Sequence, residues 1–259
     1  MVGVVYLYRK YLLLEEKIMA KIENGKLTLK IASYNLAGGN YDKDFSGIAK
    51  DIIDCGADIV GLQEVDMFAD RSGNIDQLDI LAKKAGFEYK LFVKAINIKG
   101  GEYGTSIISK YPIVESKILP LKSFEGGPRK IEDRSIGITV IDVLGQKINF
   151  LNTHLSFEFD DAIIYHFDQV AEILKDYDSY IITADYNTNN FSLFEKFHDS
   201  KIVNGSEKEI PSFPGSNAIG GCGIDNIVMS SEWSWRDAEL GPKGHSDHRM
   251  LYATLEKEI

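Results

Sequence analysis

Cysteine is nearly absent: Cys55 and Cys222 are the two present in 259 residues. They make no disulfide framework and fit a reducing compartment. Neither lies near a histidine along the chain, so the thiolate–imidazole motifs that hold structural zinc are missing. No apolar run is long enough to span a bilayer. Basic residues are in deficit, 29 Lys and Arg against 39 Asp and Glu, for a net charge of −10. That surplus repels polyanions at long range and argues against unspecific binding of duplex DNA, which relies on neutralising phosphates. It leaves room for a small phosphorylated substrate drawn in by a bound metal ion. No serine stands in a Gly-x-Ser-x-Gly elbow, which removes that hydrolase signature. Low-complexity linkers and short-period repeats are missing too.

What is present is the composition of a soluble globular protein, 44% hydrophobic and 26% charged. The opening "MVGVVYLYRKYLLLEEK" is apolar but broken by Arg9 and Lys10, and Met19 is an alternative start. Residues 1–25 read as an accessory segment without a catalytic role. From residue 26 to 259 short β-branched runs recur: "LTLKIASYN", "ADIVGLQEV", "TSIISKYPI", "SIGITVIDV", "KINFLNTH", "SYIITADYN", "GIDNIVMS" and "HRMLYATLE". Each has the length and composition of a strand. Three amphipathic stretches alternate with them. Residues 44–55 place Ile48, Ala49, Ile52 and Ile53 toward a core, with Gly56 as C-terminal cap. Residues 74–85 do the same with Ile75, Leu78, Leu81, Ala82 and Ala85, closed by Gly86. Residues 162–176 space Ile163, Ile164, Phe167, Val170, Ala171 and Leu174 as a helix covering a sheet. One layered α/β domain over residues 26–259 is the expectation.

The informative pattern is where polar residues fall. Apolar runs end in Asn35, in Glu64, in His154, and in Asp185 with Asn187; "GID" supplies Asp225 and "SDH" supplies Asp247 and His248. A buried carboxylate or imidazole is costly unless paired or liganded, so repetition at strand ends points to a shared site. Taken singly, Asn35 reads equally as the start of a turn, and His154 as a satisfied core histidine. Hard oxygen donors of the Asn-Glu-Asp kind suit magnesium or manganese. The chemistry that remains is metal-assisted attack of water on phosphorus.

The ordered set "ASYNL", "DIVGLQEV", "GTSIISKYPI", "LNTHL", "TADYN", "IDNIV" and "SDH" resembles the endonuclease/exonuclease/phosphatase superfamily, from about Leu27 to the C-terminus. The resemblance implies a four-layer αββα sandwich, an α/β fold of two packed, largely antiparallel sheets flanked by helices. It also implies a magnesium-dependent phosphoesterase, manganese substituting. On these motifs Glu64 is the principal metal ligand, with Asn35 beside it and Asp247 close by. Asp185 aligns or deprotonates the nucleophile, or assists the leaving group; Asn187 contacts the scissile phosphate; His154 and His248 stabilise the transition state. Neighbours along an extended strand point to opposite faces. Asp247 therefore cannot orient His248, and Asp225 is the expected partner, as in the family. His245 is left as a loop residue.

The chain departs from the common pattern in places. Thr105 stands where many members have Asn, Ala184 and Tyr186 flank Asp185 in place of Gly and Phe, and His166 stands where Arg is frequent. Tyr186 is expected to point away from the cleft into packing. Arg134 reads as a substrate contact or as an exposed charge at a strand start. "SEWSWRD" reads as a half-buried strand rather than a lipid-interface finger. With no basic, aromatic-studded insertion, long duplex DNA is not the expected partner. The reading is a cytoplasmic, monomeric phosphodiesterase acting on a small molecule, a lipid headgroup or a short nucleotide. A nuclease on single-stranded or damaged DNA is the alternative within enzymes, and a non-catalytic binding module the alternative outside them.

Overall fold

The computed structural model describes residues 21–214 and 221–259. The accessory segment expected over residues 1–25 lies outside the described residues as far as residue 20. Thirteen strands are described: β1 (Ile22–Glu23), β2 (Lys26–Asn35), β3 (Ile59–Met67), β4 (Tyr89–Ile98), β5 (Gly101–Ser109), β6 (Ile113–Leu121), β7 (Arg134–Val143), β8 (Gln146–His154), β9 (Ile181–Asp185), β10 (Ser200–Ile202), β11 (Asp225–Ser230), β12 (Trp233–Leu240) and β13 (Leu251–Glu258). Three α-helices accompany them: α1 (Ser46–Cys55), α2 (Gln77–Ala85) and α3 (Asp160–Leu174). One sheet runs β12-β13-β2-β3-β5-β4 with β1 on β2; the other runs β10-β11-β9-β8-β7-β6. Both are mixed. β2–β3 and β8–β9 are parallel pairs among otherwise antiparallel neighbours.

The sheets pack face to face and helices cover both outer faces, so the chain is a four-layer αββα sandwich. Three apolar clusters mark the three interfaces. Ala32, Tyr34, Val60 and Leu62 meet Ile48, Ile52, Leu78 and Leu81 of α1 and α2. Leu29, Ile31 and Ile59 meet Phe150, Ile181 and Ile227 between the sheets. Leu151, Ile182 and Val228 meet Phe167, Val170 and Leu174 of α3. Inner strands are thus buried on both faces, which is why their sequences read as continuous apolar runs rather than alternating ones. Tyr186 is fully buried against Phe167, Phe194 and Phe197, as expected from its place beside Asp185. Among the described residues no helix is long and apolar enough to cross a membrane.

The helices lie close to where periodicity placed them, with corrections at their edges. α2 starts at Gln77 because Asp76 caps it, accepting from the Asp79 N–H. Gly56 and Gly86 close α1 and α2 with φ of 72° and 75°, the left-handed region that glycine enters without penalty. Ile53 is 54% exposed, so α1 buries a narrower stripe than expected; Ile164 on α3 also faces outward. "TSIISKYPI" is not one strand: β5 ends at Ser109, a turn follows, and β6 begins at Ile113. β4 and β6 escaped the sequence reading because they are sheet edges, where charged residues interrupt the apolar pattern.

A polar knot sits between the sheets just below the end that carries the candidate site. Asn152 donates to the carbonyls of Leu62 and Ser106, both at 2.9 Å, and its Oδ1 accepts from Gln63 and Thr183. The opposing position on β3 is Gly61, and a Cβ there would lie 2.5 Å from Asn152 Oδ1. Only a glycine lets the two sheets approach around this knot.

Candidate active site

The two parallel pairs aim four strand ends at one edge of the sandwich. β2 and β3 run the same way and carry Asn35 and Glu64; β8 and β9 run the same way and end in His154 and Asp185. β11, antiparallel to β9, starts at that edge with Asp225. His154, Asp185 and Asp225 stand side by side in register across the second sheet. The loop before β13 brings Ser246, Asp247 and His248 to the same place.

Asn35 ties the sheets together. Its Nδ2 donates to Glu64 Oε1 at 3.0 Å and to Asp185 Oδ2 at 2.9 Å, while its Oδ1 accepts from the Ala37 N–H. Glu64 reaches this position through a backbone irregularity. The β3–β5 register shifts between Leu62 and Val65, and Glu64 itself has φ of 57°. On a regular strand its side chain would follow Val60 and Leu62 toward the helices. The bulge turns it into the cleft, at a cost of about 1 kcal/mol or more for a left-handed non-glycine residue. Asn187 has φ of 54°, a conformation asparagine tolerates. It lies past the end of β9 and not two positions along a strand. Its N–H donates to Asp185 Oδ1 at 2.9 Å and its amide to the Leu155 carbonyl.

Asp185 Oδ2 is the focus of two imidazoles, His154 Nε2 at 3.5 Å and His248 Nε2 at 3.6 Å. All three side chains are buried. His248 Nδ1 lies 2.8 Å from Asp225 Oδ2, the partner expected. Ser246–His248 precede the strand rather than open it, and the segment is held by Ser246, whose hydroxyl donates to the Asn35 carbonyl and accepts from the His248 N–H. Phe213 packs on the His248 ring with centroids 4.7 Å apart.

The two histidines carry different charge. Burial alone lowers the His248 pKa, but Asp225 and Asp185 outweigh it and raise it to about 10, so it is an imidazolium near neutrality. His154 is pushed well below its usual value, first by burial and then by Arg134, so it is neutral. Arg134 is buried rather than an exposed strand-start charge; its Nη1 lies 2.8 Å from Glu132 Oε1 and 3.2 Å from His154 Nδ1. A guanidinium can only donate, so Nδ1 accepts and the His154 proton is on Nε2, facing Asp185. Asp185 is raised above the ordinary carboxylate range, chiefly by burial and next by the charge of Asp225.

Asn35, Glu64, Asp185, His154, His248, Asp225 and Arg134 are therefore linked by direct contacts, and Asp247 joins through Ser246 at 3.3 Å. The buried trio Asp185, Asp225 and His248 offers ligand atoms within 4.8 Å of one another. Oxygen donors from Asn35, Glu64 and Asp247 fit a hard divalent cation better. Neither carboxylate has an ion pair among the described residues, whereas the trio already holds a cation of its own in His248, paired with Asp225. Thr105 is buried, and its hydroxyl has no hydrogen-bond partner among the described residues. His245 turns away, its Nδ1 2.9 Å from Asp51 on α1. His166 is buried, with Nδ1 accepting from the Ser156 N–H. Trp233 is fully buried and Trp235 half-buried on β12, as a strand requires. Sequence reasoning missed the Asp66–Arg71 pair, although Asp66 follows Glu64 by two and an Arg-Ser-Gly turn comes just after.

The same architecture occurs in solved structures of low sequence identity. The Bacteroides thetaiotaomicron mannosyl-6-phosphatase matches with a TM-score of 0.68 at 18% identity, over 88% of this chain and 99% of that one. D. rerio TDP2 complexed with a single-stranded DNA product matches with 0.66 at 17%, over 88% and 98%. Sphingomyelinase C from Streptomyces griseocarneus matches with 0.62 at 15%, over 88% and 99%. No curated protein matches the sequence significantly. The fold and its family define an enzyme, a phosphoester hydrolase. The model of the Endonuclease/Exonuclease/phosphatase family matches residues 32–248, and the chain belongs to that family.

Proposed function

We propose that the chain is a divalent-metal-dependent phosphodiesterase that hydrolyses a small molecule, a lipid headgroup or a short nucleotide by in-line attack of water. The observation that carries this reading is the convergence of Asn35, His154 and His248 on the single carboxylate of Asp185, with Glu64 tied to it through the Asn35 amide. Asn35, Glu64 and Asp247 would hold the cation, magnesium by the hardness of its donors, with manganese substituting. When bound, the cation polarises the phosphate and lowers the pKa of water. Asp185, whose carboxyl pKa is raised, aligns the attacking water and takes its proton. The His154 Nε2–H, the His248 imidazolium and the Asn187 amide donate to the phosphoryl oxygens as charge builds on them. Asp225 holds the His248 ring and its charge.

The test is hydrolysis of bis-p-nitrophenyl phosphate, p-nitrophenylphosphorylcholine and a single-stranded oligonucleotide with magnesium, manganese or EDTA. Turnover should need the metal and fall about 100-fold or more in Glu64→Gln, while the protein stays folded. Turnover that survives EDTA or Glu64→Gln would refute the metal assignment. A preference for the oligonucleotide would select the nuclease branch.

The Asp225–His248 pair sets a pH dependence. Asp225 raises the His248 pKa, so the protonated donor persists to about pH 10. Removing that carboxylate lowers the pKa, and the donor is lost at lower pH. In Asp225→Asn the alkaline limb of kcat/KM should therefore move toward neutrality by roughly one to two units. An unmoved limb would mean that another group sets it.

A further inference from the structure

A cleft of about 710 Å³ opens beside the candidate site, walled by Lys94, Asn97, Arg129, Lys130, Glu132 and Phe157. A relay of contacts links its wall to the chemistry: Glu132 pairs with Arg134, and Arg134 contacts His154. Phe157 stands three residues past His154, a span of at most about 10 Å of chain, and is 57% exposed with Arg129 over its ring at 5.8 Å. The larger cleft, about 880 Å³ between residues 200–210 and 234–238, shares no residue with the site.

Close enough to Glu132 of the smaller cleft's wall for their charges to interact is an arginine with an unusual mounting. Arg71 has a side chain 57% exposed, yet Asp66, which grips it through Nε (2.9 Å) and Nη2 (2.7 Å), is fully buried. The guanidinium lies over the Tyr103 ring at 5.0 Å. The grip is itself braced, since Gln77 accepts from the Asp66 N–H and donates to the Gly38 carbonyl. The charges of Glu64 and Glu132 both interact with this guanidinium. Two of its five N–H donors serve Asp66; Nη1 has no acceptor among the described residues. An exposed ion pair contributes little to stability, and a buried carboxylate costs desolvation, so stability alone gives weak reason for the arrangement. A guanidinium fixed in orientation is what recognition of a second oxyanion requires.

Resting on the phosphodiesterase reading, we propose that this cleft receives the part of the substrate beyond the scissile phosphate. Arg71 binds a second anionic group there, a phosphate by its fork geometry. The depth of the groups supports the division of labour. His154, Asp185 and His248 are buried, while the Arg71 side chain is largely exposed and feels the charges of Glu64 in the site and Glu132 in the cleft wall. Of the nearby carboxylates, Asp66 is engaged in the grip, Glu132 with Arg134, and Glu64 accepts from Asn35; none of them is bonded to Nη1 among the described residues.

The experiment compares the dinucleotide TpT with its 5′-phosphorylated form pTpT, in the presence of magnesium, for the wild type, Arg71→Lys and Arg71→Ala. The wild type should favour pTpT by at least 10-fold in kcat/KM, mainly through KM. The preference should fall to near unity in Arg71→Ala and be only partly restored by lysine, which keeps the charge but not the fork. Since Arg71→Ala leaves Asp66 buried without a partner, the melting temperature is recorded. The double variant Asp66→Asn/Arg71→Ala, which removes that charge, should show the same near-unity ratio. Lys83→Ala, an exposed change on α2, should keep the wild-type ratio. A wild-type ratio near one, or a preference that persists without Arg71, would overturn the proposal. If neither dinucleotide is hydrolysed, calorimetric binding of the two to the same proteins reads the same ratio. The subsite and the hydrolase reading then stand or fall separately.

Discussion

Asp185→Asn should lower kcat roughly 1000-fold, the loss expected when a positioned general base is removed. Its melting temperature should change by no more than a few degrees. Activity and stability separate here because the ionised carboxylate is poorly accommodated: it is buried, and Asp225 repels it. An amide of the same shape avoids both costs and gives up about one hydrogen bond, worth about 1 kcal/mol. The two acceptor contacts, from Asn35 at Oδ2 and Asn187 at Oδ1, show where that bond is lost. KM should move far less than kcat, since Asp185 acts on the water rather than on the substrate's body. A kcat within 10-fold of wild type would remove Asp185 from the base role.

Gly61→Ala should have the largest effect on stability, about 3 kcal/mol, or roughly 10 °C in melting temperature. The added methyl would overlap the Thr183 hydroxyl and lie 2.5 Å from Asn152 Oδ1. Neither can retreat, because both belong to the buried hydrogen-bond knot that joins the sheets. The sheets would have to separate at the level just below Asn35 and Asp185. Hydrolysis should therefore fall along with stability, unlike in Asp185→Asn. Thermal unfolding of the variant indistinguishable from wild type would show that the sheets can shift here without penalty.

The fold was legible because both the sheets and the helices that cover them write their burial into the chain. Strands covered on both faces need β-branched residues at successive positions, as in Ile181–Ile182 and Ile227–Val228, and the covering helices need apolar residues at helical spacing. Edge strands do not, so β4 and β6 went unread, and a turn within "SKYP" was absorbed into a strand. Ile53 and Ile164 were assigned to the core because periodicity measures the angle around a helix and not the width of the sheet beneath it.

The candidate site divides in the same way. The identities of Asn35, Glu64, His154, Asp185, Asp225 and His248 follow from the sequence, since polar groups ending apolar runs need a common partner. Their relations do not. Glu64 enters the cleft only because the backbone bulges at φ 57°, which no residue type announces. Arg134 reads as a substrate contact or as an exposed charge, and the fold instead buries it against His154, which sets the proton on that ring. Arg71 carries only a faint local mark, Asp66 five residues before it, because its platform Tyr103 comes from another strand. Sequence by itself determined which groups reach the sandwich edge, through period and burial. Which of them touch, and with what charge, was decided by the tertiary structure, because contact distance and desolvation arise only when separate strands are brought into register.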